Sequence, residues 1–222
     1  MNEQERAEEH LKTIRRLMER ATIYRAISAP TALVGGLLSL AASFATWVHL
    51  NPAVPGTDHK NFYLWLWLLV LVLTAATNTL FIVLGAKKRN EPVFSASMKA
   101  ALIALAPALL LGAVLTCLLA AADDDPGLYL FQSVIWATCY GLGLLATGHF
   151  APRSLTLLGW AFLSAGIAGF TWMYLDLAGG TTYSFGYGSA LPSTLFMATT
   201  FGLFHLIYAA GAWPRKGATQ EP

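Results

Sequence analysis

The stretch Pro192-Ser-Thr-Leu-Phe-Met-Ala-Thr-Thr-Phe-Gly-Leu-Phe-His-Leu-Ile-Tyr-Ala-Ala-Gly-Ala-Trp213, closed by Pro214-Arg215-Lys216, decides the fold. It has the ~20 apolar residues needed to cross a hydrocarbon core, with basic residues directly after it. His205 lies well inside the run. Helical spacing puts Ala198, Gly202, His205 and Ala209 on one face, and small residues are where transmembrane helices press together. His205 is therefore expected to point into protein, and an ionisable side chain held there is a functional-site hypothesis.

Working outward, five more runs of this kind precede it: about Pro30 to Leu50, Asn61 to Ala86, Ala96 to Ala121, Leu128 to His149 and Ser154 to Leu175. With 56% hydrophobic and 12% charged residues in a chain of 222, little is left for a soluble domain. The sequence predicts an all-α membrane bundle of six spans over residues 29–216, with an amphipathic helix before it (1–28) and a short tail after it (217–222). Phe62, Tyr63, Trp65 and Trp67 open the second span, and Trp47 and Trp172 close the first and fifth, as an interfacial aromatic belt would.

Basic residues set the orientation. Lys87-Lys88-Arg89, Lys99, Arg153 and Arg215-Lys216 fall in alternate loops or beside them, whereas the opposite loops hold Asp58, Asp123-Asp124-Asp125 and Asp176 with Lys60 as their only cation. The positive-inside rule puts both termini in the cytoplasm. The acidic and basic residues before the first span are unlike a signal peptide. In residues 2–27, Ala7, Leu11, Ile14, Met18 and Ala21 recur at helical spacing, acidic residues lead and basic ones follow. Such a helix either lies on the bilayer surface or pairs, with a cytoplasmic protein or with another copy of the chain.

Chemistry has few candidates. Counted about eight residues from the ends expected in the cytoplasm, ~12 Å deep, His205 is level with Asn78, Ser39, Ser164 and Cys139-Tyr140, and with Pro107, whose ring leaves the carbonyl of Ile103 without its helical partner. Tyr208 follows His205 by one turn. Polar groups in hydrocarbon need partners, so these are expected to converge as a ligand-binding layer: His205, Asn78, Tyr208, Ser39, Ser164 and Tyr140. The alternative is that they only pack helices together. His149 reads as interfacial, and its depth does not match His205 as paired haem ligands would. His49, His59 and the acidic loops show no metal-ligand spacing. Cys117 and Cys139 read as buried thiols. No Asp, Glu, Lys or Arg lies mid-span, against proton-coupled transport and voltage sensing. No catalytic triad, HExxH or phosphate loop occurs, so an enzyme is the least supported class, no cofactor is specified, and the net charge of +2 does not suggest nucleic acid. Leu37 to Trp47 echoes Phe162 to Trp172 at Leu38/Leu163, Ser39/Ser164, Thr46/Thr171 and Trp47/Trp172, as a parallel repeat or as chance similarity between Ala-rich helices.

Ile14-Arg-Arg-Leu-Met-Glu-Arg-Ala21 before the first span, Pro126-Gly-Leu-Tyr-Leu130 opening the fourth, and Phe201-Gly-Leu-Phe-His-Leu-Ile-Tyr208 in the sixth resemble a family of uncharacterised six-span bacterial inner-membrane proteins. That family's last motif ends Phe-Gly where this chain has Tyr208-Ala209. The resemblance implies the architecture and carries no activity, substrate or cofactor.

The orientation is testable. Asp124→Cys is expected to react with a membrane-impermeant thiol reagent on intact cells, and Lys88→Cys only after permeabilisation. Reaction of Asp124→Cys from the cytoplasmic side alone would invert the arrangement.

Overall fold

In hydrocarbon a backbone has no water to bond, so each apolar run closes its hydrogen bonds within itself as a helix. A computed structural model describes residues 6, 8–11, 13–14, 29–50, 59–89, 96–121, 126–148, 151–179 and 191–213. The helices of the spans are α1 (Ala29–His49), α2 (His59–Arg89), α3 (Ala96–Ala120), α4 (Pro126–Ala146) and α5 (Arg153–Ala178), then α6 (Leu191–Met197), a π-helical segment (Ala198–Phe204) and α7 (His205–Ala212). Six helical stretches are long and apolar enough to cross a membrane, the sixth being α6, the π-segment and α7 together. The chain is an all-α, multi-pass membrane protein. The tail, the acidic residues Asp58 and Asp123 to Asp125, His149 and Arg215-Lys216 lie outside the described residues, as does most of the amphipathic stretch 2–27.

Packing order follows from where side chains are small. α1 is the hub, lying against α2 on one side and against α6, the π-segment and α7 on another. Its adjacent glycines serve the two sides. A Cβ on Gly35 would stand 3.1 Å from Thr74 Cγ2 of α2, and one on Gly36 would stand 3.1 Å from the Gly202 carbonyl oxygen of the π-segment. α4 and α5 form the tightest pair: a Cβ on Gly141 would meet the backbone nitrogen of Leu163 at 2.7 Å and the carbonyl of Gly159 at 2.9 Å. Glycine is what lets those backbones touch. α3 packs on α4, and α2 on α1, so both are edge helices with mostly outward side chains.

Two details depart from the sequence reading. Tyr63 and Trp67, expected in the interfacial belt, are 1% and 5% exposed, while their neighbour Trp65 is 70% exposed. Helical phase explains this: Tyr63 and Trp67 are one turn apart and face α4 and the π-segment, and Trp65 lies on the opposite side. Pro107 sits inside α3 without ending it, and both it and Ile103 lie on the exposed face, away from the other helices.

Candidate functional site

Span six is where the regular helix gives way. Seven residues, Ala198–Phe204, wind as a π-helix directly before His205. At the point where the ladder widens, Thr199 and Thr200 give their hydroxyl protons to the carbonyls of Leu195 and Phe196 at 2.9 and 2.8 Å. The side-chain-free Gly202 then lies against α1. At the far end, the His205 backbone N–H goes to the Gly202 carbonyl. Wide turns of this kind cluster at functional sites.

The His205 ring is held at both nitrogens. Nδ1 lies 2.9 Å from the Phe201 carbonyl oxygen and Nε2 lies 3.0 Å from the Tyr140 hydroxyl. A carbonyl can only accept, so Nδ1 carries the proton and donates; in the neutral ring Nε2 then accepts from Tyr140. Aromatic rings close the surroundings. Phe162 stands edge-on to His205 at 5.4 Å, Phe201 stacks at 6.2 Å, and Phe162 also meets Phe204 at 5.6 Å. Tyr208 is buried in the same cluster, against which Tyr140 packs.

The expected layer therefore divides. His205, Tyr140 and Tyr208 come together between α4, α5 and span six. Ser39 is buried on α1, and Asn78 is half-buried on α2, which packs on α1; α1 stands between Asn78 and His205. Ser164 lies on the exposed face of α5 and joins neither group. One depth in the bilayer does not mean one site, because α1 fills the middle of the layer.

A second polar cluster was not foreseen from sequence. Tyr63 donates to Ser133 Oγ at 2.6 Å, and Ser133 donates in turn to the Tyr129 carbonyl at 2.6 Å. Gln132 Nε2 and Trp136 Nε1 both donate to Thr116 Oγ1 at 2.8 Å. The rings of Tyr63, Tyr129 and Trp136 stack beside them. Gln132 was the available signal, an amide alone inside an apolar span. Phe201 lies between the two clusters: its ring is 6.5 Å from Trp67, which neighbours Tyr63, and 5.5 Å from Tyr140. Among the described residues no group of His, Cys, Asp and Glu is placed to hold a metal. His49 stacks on Phe62 at 3.8 Å, Cys139 is a buried free thiol, and Cys117 is free and exposed, against expectation. Comparison with protein-family models, curated proteins and solved structures gives no match.

If Tyr140 and His205 support each other, their truncations will not add. Tyr140→Phe leaves Nε2 without its donor and is expected to cost ~1–3 kcal/mol. In the Tyr140→Phe/His205→Phe pair, at least ~0.5 kcal/mol of the summed cost should be recovered. Thermal or denaturant melting of the four proteins in detergent measures this, and additive losses would mean that the bond contributes nothing.

Proposed function

We propose that this is a bacterial inner-membrane protein of the six-span family, with both termini cytoplasmic, that binds or passes a small uncharged polar ligand at the His205–Tyr140 pair. The observation that carries the reading is the doubly bonded imidazole at the end of a π-segment. The Phe201 carbonyl fixes the tautomer, and Tyr140 Oη, already giving its proton to Nε2, keeps lone-pair capacity to accept from a ligand N–H or O–H. Phe162, Phe201 and Phe204 supply apolar walls. The spans carry no fixed charge near this depth, which suits a neutral ligand and makes an ion costly. Tyr208 supports the pair by packing. Ser39, on α1, and Asn78, on α2, lie outside the pair.

The test is solute swelling. Proteoliposomes holding the wild-type chain are expected to swell faster in isosmotic glycerol or urea than protein-free liposomes. His205→Phe and Tyr140→Phe should each slow that swelling about tenfold while the protein stays folded. Wild-type swelling no faster than the lipid alone, with a melting temperature that neither solute moves, would end the reading.

A second reading rests on a separate observation. In the described part of the N-terminal stretch, Thr13 bonds back to the Glu9 carbonyl as in a helix, and Leu11 and Ile14 are 66% and 52% exposed. A short helix with an open apolar stripe is marginal in water, so a bilayer surface, a cytoplasmic protein or a second copy is proposed to cover it. Leu11→Asp with Ile14→Asp is expected to change oligomeric state or lower the melting temperature. If both stay as in the wild type, the stripe has no partner.

A further inference from the structure

Among the described residues, the buried polar side-chain atoms without a hydrogen-bond partner are Ser43 Oγ, Trp67 Nε1, Thr74 Oγ1, Asn78 Oδ1 and Gln132 Oε1. Four of these five belong to α1 and α2. On α2 they form a stripe: Trp67, Thr74, Asn78 and then Gly85 follow at steps of seven, four and seven residues, which return to one helix face within about 20°. Thr74 lies against Gly35 of α1, and His49 stacks on Phe62. Those two contacts fix an antiparallel register in which Ser43 comes level with Trp67. Ser43 and Trp67 are 3% and 5% exposed, so neither reaches the surroundings of the bundle.

The local alternative is open and not taken. Thr77 and Thr79 on the same helix donate to the carbonyls of Leu73 and Ala75 at 2.8 and 2.9 Å. Thr74, between them and α1, makes no such bond. Ser133 bonds back by one turn; Ser43 does not. Unpaired polar atoms are costly in hydrocarbon, so a row of them along one seam calls for an occupant. The atoms specify it. Trp67 Nε1 only donates, Asn78 Oδ1 only accepts, and the hydroxyls of Ser43 and Thr74 do either. A bare cation would serve only the acceptors and an anion only the donors; a hydroxylic molecule serves all four. The stripe ends at Gly85 in an open cleft lined by Phe81, Leu84, Gly85, Lys87 and Lys88. From Trp67 to Gly85 the rise is ~27 Å, close to the thickness of the hydrocarbon.

We infer that the α1–α2 seam is a second site, a file of hydroxylic ligands (water or a small neutral polyol) entered from the cleft at Lys87 and Lys88. It is distinct from the His205–Tyr140 pair: α1 stands between that pair and Thr74 and Asn78, and only the Trp67 end of the file meets the π-segment, at Phe201.

Thiol labelling of the reconstituted full chain tests it, in a Cys117→Ala/Cys139→Ala background with 2-aminoethyl methanethiosulfonate as the aqueous probe. Thr74→Cys and Ser43→Cys are expected to react about tenfold faster than the outward-facing Leu71→Cys, because the thiolate forms only where water reaches. Equal rates overturn the file. Slowing by glycerol identifies a polyol as occupant, and no slowing identifies water; either supports the file. Thr74→Val guards against a poorly folded cysteine variant. A dry orphan hydroxyl replaced by methyl raises the melting temperature and overturns the inference, whereas a solvated one leaves it level or lowers it. Adding His205→Phe should leave the labelling rates unchanged, so failure at one site is read apart from failure at the other. Loss of labelling there would overturn the separation.

Discussion

Everything in this bundle depends on how closely α1 meets the π-segment of span six. Gly36 and Gly202 face each other with no side chain between them, and Leu40 and Leu206 fill the flanks so tightly that a Cβ at either glycine would collide with one of them. Lipid tails are as apolar as leucine, so helices in a bilayer gain little from hydrophobicity and rely on such shape matching. With α1 fixed there, α2 packs on α1's other face and meets α4 and the π-segment through Tyr63 and Trp67. Span six is thereby placed to present Phe201 and His205 to α4 and α5.

The architecture was largely legible in the sequence because it rests on two coarse signals. Apolar length gave six spans whose bounds fall within a few residues of the observed helices, the second being longer at both ends. Small residues marked a packing face of span six, and Gly202 and Ala209 do lie at helix contacts. Within the proposed site, His205 with Tyr140 was legible from depth alone.

What depth could not supply is angle around the bundle. Asn78, Ser39, Ser164 and His205 share a level, yet they belong to different seams or to none. Counting at 3.6 residues per turn also fails across Ala198–Phe204, where the wider winding shifts every later side chain in phase. Tyr63 and Trp67 read as belt residues for another reason, and they prove buried. Near a span's end an aromatic residue reads as an interfacial anchor, and only the position of α4 shows that these two turn inward.

Thr116 joins α3 to α4 through a single oxygen whose bonding capacity is fully used. Its proton goes to the Gly112 carbonyl at 2.7 Å, and its two lone pairs take Gln132 Nε2 and Trp136 Nε1. A displacement of α3 along its neighbour by one residue would detach both donors together. The contact therefore behaves as a detent that favours this one register of α3 on α4.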